Sequence, residues 1–281
     1  MVLPSDLPVF ELEALPPLRE VIAQHGLRAE KALGQNFLFD QNITNKIVRQ
    51  AGDLCGKTVI EIGPGPGGLT RSLLLSDAKK VIALEFDLRA VAALSGLVEA
   101  AQGRLQVVHA DALATDLTAL CAGPRVIVAN LPYNIATPLL TGWLAQIRGD
   151  SGVYDEMILM FQKEVAQRIV APVGGKSYGR LSVISQWLCE VRRCFDLPPS
   201  AFTPPPKVKS SVVRFVPKAL AADAPEFSAV EAVSAAAFGQ RRKMIRSSLG
   251  DYADAVAALG LDPTGRAETL SPVDFIQLAK Y

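Results

Sequence analysis

From Thr58 onward the chain alternates short apolar runs with stretches of helical character, and this alternation restricts its fold more than any other feature. The runs are TVIEIG, KVIALEF, LQVVHA, RVIVANL, EMILMFQ, VISQWL and SSVVRFV. Runs this short and this rich in Val and Ile suit strands buried on both faces. Helical intervals between them imply βαβ crossovers, hence an α/β fold with a mostly parallel sheet. The last two runs have no clear helix between them and are expected to form an antiparallel edge. The three prolines of AFTPPPKVKS keep the intervening segment out of any central strand or helix interior.

The flanks set the domain organisation. A chain of 281 residues suggests one large domain with a small appendage. Residues 1–17 are Pro-rich and read as an N-terminal extension. A helix is expected near Leu18–His25, and another after Asp40, an N-cap followed by Ile43, Ile47 and Val48 at helical spacing. After Pro217 the sequence turns Ala-rich, with helices expected at about Ser228–Leu249 and Ala253–Leu259. A last helix starts at Ser271, as N-cap, with Pro272 at N1 and Asp274 in the first turn. The α/β domain is therefore placed at 18–219 and a small all-helical C-terminal domain at 220–281.

Composition narrows the function classes. Four cysteines form no CxxC pair, and the two histidines, His25 and His109, lie far from them. No metal site and no disulfide framework are expected. The N-terminal segment has no apolar run long enough for a secretion signal, and no stretch reaches membrane-spanning length. A cytoplasmic protein without membrane attachment is expected, acting as a monomer because nothing suggests a coiled coil or a large exposed apolar face. A net charge of +1 leaves a polyanionic partner open, but Arg241, Arg242, Lys243 and Arg246 fall within six positions. Such a local cluster matters more than the total.

Two motifs carry chemistry. In EIGPGPGGLT, Gly63, Gly65 and Gly68 satisfy GxGxxG after a strand, and Glu85 ends the next strand, where it can accept hydrogen bonds from ribose hydroxyls. A dinucleotide enzyme would show the same pattern, and so would a plain tight turn. Asp111 in HADAL ends the third strand, and Asn130-Leu131-Pro132-Tyr133 ends the fourth. Ligands of open α/β sheets bind beyond the carboxyl ends of the strands, so Gly63, Glu85, Asp111 and Asn130 are expected along one edge. Asn130 Oδ1 and the Leu131 carbonyl could accept from the two hydrogens of an exocyclic adenine amine. Pro132 fixes the turn, and Tyr133 offers a face on which an extruded base can rest. Taken alone, Asn-Leu-Pro-Tyr could equally be an ordinary turn, but its place directly after the strand RVIVA favours the functional reading.

Taken together, LGQNFLFD, EIGPGPGGLT, ALEFD, HADAL, NLPYNIATPLL, FTPPPKVKSSVV and FGQRRKMIRSSL resemble the ribosomal RNA adenine N6,N6-dimethyltransferases of the small-subunit type. The resemblance runs from about Leu27 onward. It implies a Rossmann-like class I methyltransferase domain, with S-adenosylmethionine as methyl donor and no metal. The implied substrate is a pair of adjacent adenosines near the 3′ end of 16S rRNA, each dimethylated in the assembling 30S subunit. It also implies cofactor contacts from Asn36, Leu38, Gly63, Gly65, Glu85, Asp111 and Asn130, and a catalytic role for Asn130, Leu131, Pro132 and Tyr133.

Several readings stay open beside it. Phe202 could clamp a flipped adenine opposite Tyr133, or could be a core aromatic. Lys207, Lys209 and the Arg241–Arg246 cluster could hold RNA phosphates, or could form a solvated face; GQRRKMIRSSL is expected on one continuous helix. Gly174–Arg180 could be a lid or a plain loop. Rival functions are a large-subunit rRNA or DNA adenine methylase, a non-catalytic assembly factor, and an NAD-dependent dehydrogenase.

Overall fold

The computed structural model describes residues 15–27 and 35–281. Its first half runs α1 (Leu18–Gln24), β1 (Phe37–Leu38), α2 (Gln41–Val48), β2 (Thr58–Ile62), α3 (Gly68–Leu74), β3 (Lys80–Glu85), α4 (Leu88–Ala93), α5 (Ser95–Ala100), β4 (Leu105–His109) and β5 (Arg125–Ala129). The second half runs α6 (Ala136–Gly149), β6 (Glu156–Gln162), α7 (Lys163–Ile169), α8 (Arg180–Leu188), β7 (Cys189–Leu197), β8 (Phe202–Thr203), β9 (Ser210–Pro217), α9 (Phe227–Gly239), α10 (Ile245–Ser248), α11 (Ala253–Ala258) and α12 (Pro272–Leu278).

Among the described residues, seven strands form one sheet in the order β4-β3-β2-β5-β6-β9-β7, while β1 and β8 form a separate antiparallel ladder. The five strands from β4 to β6 are parallel, and β9 runs antiparallel to β6. Consecutive residues such as Val59 and Ile60, Val81 and Ile82, and Val126 and Ile127 are all fully buried. Successive strand residues face opposite sides, so both faces of the sheet are covered, which is why these strands read as unbroken apolar runs. The expected caps form: the Asp40 side chain accepts from Asn42 N at 2.8 Å, and Ser271 with Asp274 makes a reciprocal capping box on α12.

By compactness the chain divides into two units. The first holds the described residues up to Thr141, with 152–163 and 193–215. Its core gathers Ile47, Val59, Leu73, Val81, Leu94, Val126, Ile158 and Phe202. The second comprises 142–151, 164–192 and 216–281, packed around stacked aromatics: Trp187 on Phe227 at 6.3 Å and Phe238 on Phe275 at 5.6 Å between centroids. This second unit thus takes in segments 142–151 and 164–192, which the sequence assigns to the α/β domain. The proposed 1–17 extension lies almost wholly outside the described residues.

Several local readings are corrected or decided. VISQWL is not a strand but the body of α8, and the strand follows it as β7. Val183, Ile184, Ser185, Trp187 and Leu188 are all buried, so the helix lacks the polar face that would have revealed its period. The SSVVRFV run forms β9, antiparallel to β6, and β7 rather than VISQWL lies beyond it at the sheet edge. The GQRRKMIRSSL segment is not one helix: α9 stops at Gly239, and α10 begins only at Ile245. There the backbone turns to pair elsewhere, with Ile245 N donating to the Gly265 carbonyl at 2.8 Å and Arg246 N to that of Pro263 at 3.0 Å. Arg241, Arg242 and Lys243 therefore splay from a turn. The 174–180 stretch is no free lid, because Tyr178 is fully buried edge-on to Phe238 and Gly174 N donates to the Glu268 carbonyl at 2.7 Å.

Candidate active site

The carboxyl ends of β2, β3, β4 and β5 open onto a cavity of about 240 Å³ within the first unit. Gly63 follows β2 directly, Glu85 closes β3, Asp111 lies two residues past β4, and Asn130 follows β5. All four line the cavity, as do Asn36, Leu38, Gly65, Leu131, Pro132 and Tyr133. The parallel register aligns these strand ends, and that alignment turns distant positions into neighbours.

The turn after β2 is shaped for close approach. A Cβ on Gly65, where φ is +54°, would stand 2.8 Å from the Phe37 ring. One on Gly68 would stand 2.2 Å from the Leu38 carbonyl oxygen. Only glycine lets α3 pack against β1 here.

Glu85 is held by three backbone donors: Gly65 N at 3.0 Å to Oε2, and Phe86 N and Asp87 N at 2.8 Å to Oε1. Burial nevertheless raises its pKa, with the three N–H groups opposing that rise. Asp87 goes the other way. The Arg89 guanidinium, at 2.7 and 3.0 Å, pulls its carboxyl down to about 2, and Gln35 Nε2 adds a bond at 3.3 Å. Glu61 is fully buried in β2, and burial pushes its carboxyl up to about 8. The Thr70 hydroxyl beside it lowers it in part, though the geometry falls short of a hydrogen bond, and the Glu85 carboxylate raises it further. Glu61 Oε2 has no partner.

At the other wall, Asn130 Nδ2 donates to the Asn36 carbonyl at 2.9 Å. A carbonyl partner can only be met by the amide nitrogen, so Oδ1 is the group left to accept. Leu131 is buried, and Ile135 N donates to the Pro132 carbonyl at 3.1 Å, closing a tight turn into α6. The Tyr133 hydroxyl meets Ser210 Oγ at 2.5 Å, and burial raises the phenol pKa.

Phe202 is not brought to this cavity. It is 3% exposed, pairs with Leu38 in the β1–β8 ladder and packs in the main core. The cations lie elsewhere too. Lys207 and Lys209 are exposed on the loop before β9, and Arg241, Arg242, Lys243 and Arg246 are exposed in the second unit.

The sequence alone did not single out Glu61, Asp87, Phe86 or Leu113, all of which line the cavity. A glutamate inside the apolar run TVIEIG was the available signal for Glu61, since an acid is seldom buried without a task. Phe86 and Leu113 are 62% and 50% exposed, apolar surfaces at the rim where a flat heterocycle could rest.

The cavity's charge discriminates among ligands. Glu85, Asp87 and Asp111 line it together with Glu61, which burial keeps largely neutral, and no Lys, Arg or His does so among the described residues. Such a lining repels a pyrophosphate and attracts a cation. S-adenosylmethionine, with a sulfonium, an ammonium, a ribose and an adenine, fits this donor set. The orphaned Glu61 oxygen and the glycine cradle fit it as well. No group of three or more His, Cys, Asp or Glu side chains placed to hold a metal occurs among the described residues.

Strand order and site together define the Rossmann-like class I methyltransferase fold, and solved structures agree. A dimethyladenosine transferase from Plasmodium falciparum matches with a TM-score of 0.70 and 27% identity, covering 86% of this chain and 95% of that one. The 23S rRNA methyltransferase ErmE shares the fold with a TM-score of 0.65 and 24% identity, covering 87% and 98%. The profile of the ribosomal RNA adenine dimethylase family matches residues 26–281. A ribosomal RNA small subunit methyltransferase A from Rhodospirillum rubrum is 54% identical over 271 residues, 95% of this chain and 93% of that protein. The chain belongs to the ribosomal RNA adenine dimethylase family.

Proposed function

We propose that this chain transfers methyl groups from S-adenosylmethionine to N6 of two adjacent adenosines near the 3′ end of 16S rRNA, dimethylating each. One observation carries the reading: in an acid-lined cavity, Asn130 is locked by Asn36 with its Oδ1 free to accept, beside Tyr133. When bound, the cofactor supplies an electrophilic methyl group. Glu85 and Asp111 would hold its ribose and adenine, Gly63 and Gly65 give it room, and Asn36 and Leu38 close the opposite wall.

The chemistry asked of the protein is modest. An exocyclic amine is a poor nucleophile because its lone pair is delocalised into the ring. Asn130 Oδ1 and the Leu131 carbonyl accept its two hydrogens and favour a pyramidal nitrogen with its lone pair available. Tyr133 supports the extruded base from one face. No strong base is required, because the amine proton becomes acidic once the nitrogen gains a methyl group. Positioning supplies most of the rate, and losing it costs on the order of 100-fold.

The RNA is held by sequence-independent charge, with Lys207, Lys209, Arg241, Arg242, Lys243 and Arg246 contacting phosphates. The enzyme acts as a monomer in the cytoplasm on the assembling 30S particle. No helix among the described residues is long and apolar enough to cross a membrane. The test offers labelled S-adenosylmethionine together with immature 30S subunits, 50S subunits or duplex DNA. Label is expected in the 30S sample alone, and transfer to either alternative would refute the substrate assignment.

A further inference from the structure

Tyr133 sits on the short turn between β5 and α6, where no ladder fixes it, yet a stacking platform works only if its ring plane is fixed. Its hydroxyl meets Ser210 Oγ at 2.5 Å across 77 positions of sequence. Ser210 is fully buried and is the first residue of β9, paired with Gln162 at the end of β6. Its surroundings are braced on both sides. Lys163 N donates to the Lys209 carbonyl at 2.8 Å, Ser211 Oγ donates to Asp196 Oδ1 at 2.7 Å, and Lys163 Nζ meets Asp196 Oδ2 at 2.7 Å. Ser210 is thus a rigid point on the sheet, and Tyr133 is a two-torsion side chain tied to it by its far end.

We propose that Ser210 is a positioning residue for methyl transfer, its hydroxyl holding the Tyr133 ring at the angle on which the target base stacks. This rests on the adenine-methylation reading above. Burial also keeps the phenol protonated at working pH, so the bond is between two neutral hydroxyls and does not switch with pH near neutrality. Ser210 also ends the proline-rich 203–209 segment carrying Lys207 and Lys209, so the same bond couples the base platform to that loop.

The test is a double-mutant cycle of Ser210→Ala and Tyr133→Phe, the latter keeping the ring and removing only the hydroxyl. Single-turnover methyl transfer, KM for 30S subunits, S-adenosylmethionine affinity and melting temperature are read for each. Each single variant is expected to lose on the order of ten-fold in the transfer rate, with cofactor affinity unchanged. The double variant should be no slower than the worse single one, because both remove the same bond. Wild-type rates in Ser210→Ala overturn the proposal. Losses that multiply in the double variant overturn it too, as does a fall in cofactor affinity matching the fall in rate. If the methylation reading itself were wrong, the wild-type chain would transfer nothing to 30S subunits, an outcome distinct from all of these.

Discussion

Asn130 reaches across 94 positions to donate its side-chain amide to the Asn36 carbonyl at 2.9 Å. The bond joins the turn after β5 to the segment leading into β1, and it decides which end of the amide faces the cavity. A residue that must present an acceptor to an amine is thereby oriented before any ligand arrives, which is how preorganisation lowers a barrier.

Asn130→Asp separates that orienting bond from the acceptor itself. The carboxylate still offers oxygens, but one of them now opposes the Asn36 carbonyl, and the donor is gone. The transfer rate should fall on the order of 100-fold, while the melting temperature falls only by the several degrees that losing one polar contact of about 1–3 kcal/mol implies. A rate within a few-fold of wild type would mean that orientation of the amide contributes little.

The glycine turn predicts a contrast between two alanine substitutions. A Cβ on Gly68 would stand 2.2 Å from the Leu38 carbonyl oxygen, while one on Gly96 in α5 meets nothing within 4 Å. Gly68→Ala should destabilise by several kcal/mol, since backbone has to move, and should abolish cofactor binding. Gly96→Ala should be neutral or stabilise by up to about 1 kcal/mol. Denaturant unfolding of both variants measures the difference.

Glu61 makes stability depend on pH. Its carboxyl titrates near 4.5 when exposed and near 8 in the fold, so between those values the folded state holds the extra proton. Stability is then full below about pH 4.5, declines as pH rises toward 8, and levels off above. Glu61→Gln, which resembles the neutral acid, should lack this decline. In thermal melts without cofactor, its advantage over wild type should grow from pH 5 to pH 8. Parallel pH profiles would contradict the assignment.

The exposed cations predict a salt effect. If Arg241 and Arg242 each contact a phosphate, removing either should lower the slope of log affinity against log salt by about one, with the rate at saturating RNA unchanged. Arg241 also donates to the Lys176 carbonyl, so Arg242→Ala is the cleaner variant. An unchanged slope would leave both as surface charge.

How much of this was legible in the sequence varies by the range of the interaction. The strands β2 to β6 and the caps at Asp40 and Ser271 were readable because periodicity and capping are local. So was the row Gly63, Glu85, Asp111 and Asn130, because strand ends in a parallel sheet share an edge. The α8 segment misled because burial on nearly all sides removes the helical period. The break at 240–244 was hidden because its cause, pairing with residues 263–265, lies some twenty positions away. Phe202, open between base clamp and core aromatic in the sequence, is resolved as buried only by its long-range packing and its pairing with Leu38. Glu61 and Ser210 act through burial and a long-range hydroxyl contact, and neither leaves a local pattern.

Mass mapping of 16S rRNA from immature 30S subunits, before and after incubation with this protein and S-adenosylmethionine, tests the central claim most directly. Two adjacent adenosines near the 3′ end should each gain two methyl groups, and Asn130→Ala should add almost none in the same time. Methylation at any other base or atom, or equal methylation by the Asn130→Ala variant, would contradict the account.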